Sequence, residues 1–320
     1  MSHHFASPDD VVTRLREVGY LADPTMGLTV YLAERLEKPL LLEGPAGVGK
    51  TELARSVALA TGARLIRLQC YEGIDESKAL YEWNYKKQLL RIQADEGHAW
   101  SELEDDIFSE SFLLPRPLLA AIRSEDPVVL LVDEIDRVEV EAEALMLEVL
   151  ADFQVTIPEL GTVKAIRRPM VFLTSNDTRD LSEALKRRCL FLHLDYPDLE
   201  REREILLSRV DGLSVALAGQ VAGIIKRLRD MDLKKRPSIS EALDWARTLV
   251  LLGIESVDPD TATATLHVLL KHEQDLEKAR RELLGQPGSG SRGATGRTAG
   301  RVPRTEQGQD LFRIPEGKQT

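Results

Sequence analysis

The feature that most constrains the fold is the octapeptide GPAGVGKT, which runs from Gly44 to Thr51. It fits G-x-x-x-x-G-K-[ST], the pattern of a phosphate-binding P-loop. Residues 39–43 form an apolar run that predicts a buried strand, and residues 52–60 have the spacing of an amphipathic helix. This order lets backbone N–H groups and a helix N-terminus bind an anion. The alternative interpretation, a glycine turn that binds nothing, leaves the match at every fixed position unexplained.

Each residue type in this loop has a chemical reason. Glycines would let the backbone approach a phosphate closely, where a Cβ atom would clash. Lys50 would reach the β- and γ-phosphates, and the Thr51 hydroxyl would bind Mg²⁺. The residues predicted to bind the nucleotide are Gly44, Pro45, Ala46, Gly47, Val48, Gly49, Lys50 and Thr51.

A second apolar run, residues 128–132, ends at two adjacent carboxylates, Asp133 and Glu134. Its continuous apolar character is typical of a strand buried on both faces of a parallel sheet. Open α/β sheets bind ligands at the carboxyl ends of their strands. We therefore predict that Asp133 holds Mg²⁺, through water, and that Glu134 is the base that polarises the attacking water. The alternative is a solvated loop, which the preceding P-loop makes less favourable.

Three further polar residues are candidates for the same site. Asn176 follows a buried strand predicted at 170–175, which ends in polar residues, and would orient the lytic water or contact the γ-phosphate; alternatively, it caps a turn. Arg187 and Arg188 close a short basic helix after that strand. An arginine can stabilise charge that develops on the γ-phosphate, often from a neighbouring subunit. Equally, the two arginines could complement the dipole at the C-terminus of their helix.

Composition narrows the class of protein. The chain has 320 residues, of which 43% are hydrophobic, enough for one large domain or two modest ones. A net charge of −11 argues against a nucleic-acid partner across the whole surface, although a local basic groove stays possible. Cys70 and Cys189, the only cysteines, suit a reducing compartment, so we expect a cytoplasmic protein. We find no signal-peptide pattern and no apolar run of about 18 residues, so no membrane span is expected.

The pattern along the chain predicts an α/β fold, with a parallel sheet flanked by helices and then a small all-α lid domain. The predicted divisions are an N-terminal helix in 1–24, an α/β domain in 25–196 with an insert at about 71–114, a lid in 197–284 and a disordered tail in 285–320. We expect hairpins at 83–92 and 155–168. The lid should contain helices at 199–209, 215–230, 239–252 and 260–284, the third opened by a capping box from Ser238 to Glu241.

These motifs, in this order, resemble an AAA+ ATPase over roughly residues 25–284. The insert before the Asp133 strand, with the segment 112–122 that leaves it, is similar to the helix-2 insert of the MoxR branch. The hairpin at 155–168 resembles the second insert of that branch. Within MoxR, residues 67–75 and 81–90 resemble the CoxD-type proteins, which are implicated in maturing the copper–molybdenum site of carbon monoxide dehydrogenase.

The resemblance implies ATP and Mg²⁺ as cofactors and assigns roles by position. Lys50 and Thr51 match the P-loop pair, Asp133 and Glu134 the second Walker motif, Asn176 the first sensor, and Arg188, better than Arg187, the arginine finger. One position departs from the family. Many MoxR proteins carry an arginine as second sensor where this chain has Ser240, so Arg236, just before that helix, is the candidate substitute.

The function implied by the resemblance is an ATP-driven chaperone that acts as a homo-oligomeric ring, a hexamer, on a client metalloenzyme of the molybdenum hydroxylase type. A von Willebrand A domain protein is the implied partner, and no nucleic acid is expected. Trp83, Tyr85 and Trp100 in the insert suit contact with a protein surface, or alternatively pack its hairpin. The alternatives are a different protein client, a nucleic-acid motor of the same fold, and a nucleotide-binding scaffold that switches without turnover.

Overall fold

The computed structural model describes residues 3–94 and 106–284. Its α-helices are α1 Pro8–Glu17, α2 Pro24–Arg35, α3 Lys50–Thr61, α4 Glu76–Ala79, α5 Tyr85–Gln93, α6 Pro117–Ile122, α7 Val140–Asp152, α8 Glu183–Lys186, α9 Leu199–Arg209, α10 Val215–Asp230, α11 Ile239–Leu251, α12 Pro259–Leu269 and α13 Glu273–Leu283. Its strands are β1 Leu40–Glu43, β2 Arg64–Gln69, β3 Tyr81–Trp83, β4 Leu113–Pro115, β5 Val128–Asp133, β6 Gln154–Ile157, β7 Gly161–Lys164, β8 Met170–Ser175 and β9 Leu190–His193. Short 3-10 turns span Glu110–Phe112 and Ile135–Arg137.

Five of these strands form one parallel sheet in the order β2-β5-β8-β1-β9. Strand β1, which leads into the P-loop, lies between β8 and β9, and β5 lies between β2 and β8. The carboxyl ends of β1, β5 and β8 therefore share one edge of the sheet. The predicted α/β fold, with a parallel sheet flanked by helices and a helical region after it, is confirmed.

Strand β5 is continuously apolar because it is buried on both faces of the sheet. Val128, Leu130 and Val132 enter the core on one face of the sheet, and Val129 and Leu131 enter the core on the other. Helix α3 packs on the second face, and α6 and α7 pack on the first. A strand covered on both faces has no solvent side that would favour alternating polar residues.

Helices α9 to α13 enclose a separate hydrophobic cluster. Trp245 is fully buried at its centre, and its Nε1 donates a hydrogen bond to Thr265 Oγ1 at 2.8 Å. A buried ion pair joins α9 to α10, with Arg229 Nη2 at 2.8 Å from Glu202 Oε1. Burial raises the pKa of Glu202, and Arg229 only partly offsets this effect. The capping box predicted at Ser238 is present, because Ser238 and Glu241 each bond the other's backbone N–H.

The predicted hairpin at 83–92 is wrong. Strand β3 pairs instead with β4, so that Tyr81 lies opposite Pro115. Residues after Asn84 form helix α5, because the Asn84 side chain accepts a hydrogen bond from the Lys87 N–H and caps the helix. The partner strand lies some 30 residues further along the chain, where local sequence pattern cannot identify it. The second hairpin is confirmed by the pairing of β6 with β7.

The single helix predicted at 260–284 is also wrong, since α12 and α13 are separated at residues 270–272. Leu270 has an extended backbone and is buried in the lid cluster. The Asp275 carboxylate, fully buried, accepts the backbone N–H groups of Lys234 and Lys235. The chain therefore turns because two side chains of this stretch bury against different parts of the lid.

The aromatic residues of the insert do not share one role. Trp83 is buried and packs edge-to-face against Phe108, with ring centroids 5.3 Å apart, as the packing alternative expects. Tyr85 is exposed. Trp100 and the predicted tail at 285–320 lie outside the described residues. None of the helices within the described ranges has the length and apolar character needed to cross a membrane.

Replacing Arg229 with alanine should cost about 3–5 kcal/mol of unfolding free energy near neutral pH, because the Glu202 carboxylate stays buried without its counter-ion. Loss of Arg229 raises the pKa of Glu202 further, so the folded variant gains stability as pH falls through that raised pKa and takes up a proton. The difference in unfolding free energy between the wild type and Arg229→Ala should therefore become smaller in acid. Urea unfolding at several pH values measures it.

The control is Arg281→Ala, which removes an exposed pair with Glu277 and should cost at most about 1 kcal/mol at any pH. A deficit for Arg229→Ala that stayed constant or grew in acid would contradict the assignment of Glu202 as the stranded charge.

Candidate nucleotide site

The fold brings together four of the predicted site residues at the carboxyl edge of the sheet. Lys50 and Thr51 open helix α3, Asp133 ends β5, and Asn176 follows β8. Lys50 Nζ lies 2.8 Å from Asn176 Oδ1, and Thr51 Oγ1 lies 3.0 Å from Asp133 Oδ1. Residues far apart in sequence are thus joined by direct hydrogen bonds between side chains.

The P-loop backbone has the form of an anion site. Within the described ranges, none of the backbone N–H groups of residues 46–49 donates a hydrogen bond, so they are available to a ligand. Gly49 has a φ of 100° and precedes the first turn of α3. A Cβ on Gly44 would lie 1.9 Å from the carbonyl oxygen of Leu194, so only glycine fits beside the end of β9.

Lys50 supplies a buried positive charge. Its Nζ donates to the carbonyl oxygens of Gly44 and Pro45, at 2.6 and 2.8 Å, and to Asn176. Burial lowers the pKa of Lys50, while the nearby carboxylates of Asp136 and Asp133 oppose that shift. The ammonium group is held by neutral oxygens, which phosphate oxygens could replace.

Asp133 is almost completely buried and is held on both oxygens. Oδ1 accepts from the hydroxyls of Thr51 and Thr174, and Oδ2 accepts from Arg67, whose Nε lies at 3.0 Å. Hydroxyl and carboxylate oxygens are the ligands that Mg²⁺ prefers, so Thr51 and Asp133 fit the predicted Mg²⁺ site. Sequence analysis missed Arg67; its signal was a polar position on β2, two residues before the strand ends beside Asp133.

Glu134 has a strained backbone beside this carboxylate. Its φ of 58° and ψ of 49° lie in the left-handed region, which costs about 1 kcal/mol or more for a residue other than glycine. Its N–H donates to Thr174 Oγ1 at 2.9 Å. Its carboxylate is partly exposed and pairs with Arg137, with Nε and Oε2 2.7 Å apart. Arg137 was not predicted either.

A third carboxylate, Asp136, connects the two loops of the site. Asp136 Oδ2 accepts from the N–H and the hydroxyl of Thr178, at 3.1 and 2.6 Å, two residues after Asn176. Burial raises the pKa of Asp136, but these hydrogen bonds outweigh burial and leave it lowered. Asp136 therefore stays ionised and ties the turn after β5 to the turn after β8.

The three arginines predicted from the sequence, Arg187, Arg188 and Arg236, do not enter this site within one chain. Arg187 and Arg188 are exposed, and in the described part of the chain neither forms an ion pair. Arg188 Nη1 donates to the carbonyl of Ala184 at 3.0 Å, as the helix-terminus alternative expects. Arg236 is exposed near Tyr196, whereas Ser240 lines the cavity beside the P-loop.

That cavity has a volume of about 530 Å³ and is wide enough for a base and sugar. Its walls come from the segment before α2, from the P-loop and from the lid. They include Tyr20, Leu21, Gly47, Val48, Arg201, Ile205, Arg209, Ser240, Leu243 and Arg247. The lid reaches the P-loop directly, since Ile239 N donates to the Gly47 carbonyl at 3.2 Å. Sequence analysis identified the P-loop part of the walls but missed the rest, because no local pattern marks residues that meet only after folding.

Comparison with known proteins agrees with this geometry. Residues 40–194 match the family model described as "ATPase family associated with various cellular activities (AAA)". An uncharacterized protein of Staphylococcus haemolyticus strain JCSC1435 is 26% identical over 251 residues, which cover 76% of this chain and 88% of that protein. An uncharacterized protein of Staphylococcus aureus strain USA300 is 27% identical over 254 residues, with the same coverage.

Among solved structures, the chain is similar to Thermotoga maritima RuvB, described as a Holliday junction branch migration motor. That structure has a TM-score of 0.43 and 18% identity, and the match covers 83% of this chain and 72% of RuvB. A mutant of the same RuvB has a TM-score of 0.46 and 19% identity, over 82% of this chain and 72% of that one. The motor activity is a property of RuvB. The family match therefore covers the part of the chain that contains the P-loop and the five-stranded parallel sheet.

Proposed function

We propose that this protein hydrolyses ATP. The observation that carries the proposal is the direct contact between Lys50 and Asn176 and between Thr51 and Asp133, with Glu134 next in the chain. A P-loop, a buried carboxylate and an adjacent second carboxylate are the groups that phosphoryl transfer to water requires. Within one chain, all of these groups lie at one edge of the sheet.

Each group has one task in this proposal. The N–H groups of the P-loop and the Lys50 ammonium bind the phosphates. Thr51 and Asp133 hold Mg²⁺, which when bound neutralises charge on the β- and γ-phosphate oxygens. Glu134 takes a proton from the attacking water; only its Oε2 is engaged by Arg137. The Asn176 amide nitrogen makes no hydrogen bond with any described residue and can orient the water or the γ-phosphate.

Lys50→Ala and Glu134→Gln should therefore fail in different ways. Without Lys50, nucleotide affinity should fall by at least about tenfold, because a charge-assisted contact to phosphate is lost. Glu134→Gln should bind nucleotide as the wild type does and lose turnover, since only the proton acceptor is removed. Nucleotide binding by equilibrium fluorescence and steady-state phosphate release separate the two effects.

The matched control is Glu139→Gln, a carboxylate that lies five residues further on, is exposed and makes no side-chain cap bond. It should leave both binding and turnover unchanged. An equal loss of nucleotide affinity in Lys50→Ala and Glu134→Gln would contradict the two roles. A wild-type protein that binds nucleotide without releasing phosphate would instead support the scaffold alternative.

We also propose that the active form is a homo-oligomeric ring, a hexamer, in which Arg188 acts on the nucleotide of the neighbouring subunit. AAA domains commonly assemble into rings, and the support from this chain is chemical. Arg188 is exposed, forms no ion pair with a described carboxylate and lies in the short segment between α8 and the edge strand β9. A cation that no carboxylate among the described residues neutralises is suited to a phosphate supplied by another subunit.

A mixture of Arg188→Ala and Lys50→Ala subunits should recover activity that neither variant shows alone. One interface in a mixed ring joins an intact Arg188 to an intact P-loop, whereas each pure ring lacks one of them. We expect a loss of about 10³-fold for the missing arginine. Phosphate release across mixing ratios measures the recovery, with mixed rings confirmed by native mass spectrometry.

Arg187→Ala, mixed in the same way, is the matched control because Arg187 is the exposed neighbour on the same helix end. The pure Arg187→Ala protein, before it is mixed with Lys50→Ala, should release phosphate at nearly the wild-type rate. Absence of recovery at every ratio of Arg188→Ala to Lys50→Ala would exclude action between subunits.

We propose further that the protein is a MoxR-type chaperone of the CoxD kind, which remodels a molybdenum hydroxylase. Its own partner in this task would be a von Willebrand A domain protein. The support is the resemblance of residues 67–75 and 81–90, and the exposed side chains of Tyr85, Leu89 and Leu90 on α5. No group of three or more metal-ligating side chains occurs in the described part of the chain. The protein would therefore supply mechanical work and not carry copper.

Deletion of the gene in its host should yield a carbon monoxide dehydrogenase that is assembled with molybdenum cofactor but lacks copper or sulfur at its site. Metal analysis and activity of the purified dehydrogenase measure this outcome. Complementation with the wild-type gene should restore the site, and complementation with Glu134→Gln should not. A complete, active copper–molybdenum centre in the deletion strain would redirect the proposal to another protein client and leave the ATPase assignment intact.

A further inference from the structure

One fully buried hydroxyl contacts both Asp133 and Glu134. Thr174 lies on β8, and only 1% of its surface is exposed. Its Oγ1 donates to Asp133 Oδ1 and accepts the backbone N–H of Glu134 at 2.9 Å. A hydroxyl offers one donor and two acceptor positions, so both hydrogen bonds are chemically compatible and can exist together.

Each of these hydrogen bonds acts on a different feature of the site. The first holds the Asp133 carboxylate against Thr51, whose hydroxyl shares the same Oδ1 at 3.0 Å. The second anchors the backbone of Glu134 in its left-handed conformation, which a residue other than glycine keeps only with support from the surrounding structure. Because one oxygen atom makes both contacts, it links the Asp133 carboxylate directly to the backbone of Glu134.

We propose that Thr174 is a positioning residue for the hydrolytic step, which couples the carboxylate of Asp133 to the backbone of Glu134. The inference rests on the proposed ATP hydrolysis and extends it to a fully buried residue. Residues that orient a metal ligand in this way control metal affinity as well as rate, and errors of about 1 Å in placing a base cost about 10²-fold.

Thr174→Val removes the hydroxyl and keeps the branched shape of the side chain. We expect kcat to fall by about 10²-fold and the half-saturating Mg²⁺ concentration for nucleotide binding to rise by about tenfold, while affinity for nucleotide without Mg²⁺ stays within about twofold. Thr174→Ser, which keeps the hydroxyl, should restore both values. Thr174→Ala is the second variant, in case valine does not fold.

Thr265→Val is the matched control for loss of a buried hydroxyl. Thr265 is also buried, and its Oγ1 accepts from Trp245 and donates to the Thr261 carbonyl, inside the lid. It should lower the thermal unfolding temperature and leave kcat and Mg²⁺ dependence unchanged. A folded Thr174→Val or Thr174→Ala protein with wild-type Mg²⁺ dependence would overturn the proposal. So would a Thr174→Ser protein whose kcat and Mg²⁺ dependence differ from the wild type. Equal losses of kcat and Mg²⁺ affinity in Thr265→Val would overturn it as well.

The two measurements also separate this proposal from the one on which it rests. If the wild-type protein releases no phosphate, the proposed hydrolysis fails, and the Mg²⁺ titration of nucleotide binding still decides the role of Thr174. If the wild type hydrolyses ATP and Thr174→Val retains its kcat, the hydrolysis stands and the positioning role is overturned.

Discussion

The burial of the Asp133 carboxylate is the interaction on which the rest of the site depends. An ionised carboxylate removed from water is tolerated only when its oxygens are paired and hydrogen-bonded. Its donors come from three elements: Thr51 of α3, Thr174 of β8 and Arg67 of β2. Satisfying this one charge therefore requires the correct order and register of β2, β5 and β8, together with the correct position of the P-loop helix above them.

The lid is connected to this arrangement through the P-loop itself. A Cβ on Gly47 would lie 2.4 Å from the Cβ of Ser238, so the absent side chain allows the loop to meet the start of α11. Arg209 of the lid also pairs with Glu52 of α3, at 2.8 Å. A ligand that shifts the P-loop would therefore act on the lid by direct contact, the kind of packed connection that couples nucleotide state to domain movement.

Local sequence predicted the parts of the site that one segment builds by itself. The P-loop, the Asp133–Glu134 pair and the Asn176 position each follow an apolar strand, and the structure brings them together. Arg67 could not be predicted, because it becomes a partner of Asp133 only through the pairing of β2 with β5. The error at 83–92 has the same origin. Strand β3 finds its partner in β4, far along the chain, while Asn84 starts a helix locally.

The distribution of charge explains how a site with several carboxylates can accept an anion. Asp133 is paired with Arg67, and Glu134 with Arg137, so neither carboxylate holds the lysine of the P-loop by a direct ion pair. Among the described residues, Lys50 donates only to neutral oxygens. An arriving phosphate must displace neutral acceptors from Lys50, which costs less than breaking a buried ion pair. The two arginines, both about half exposed, thus keep the lysine available to an arriving phosphate.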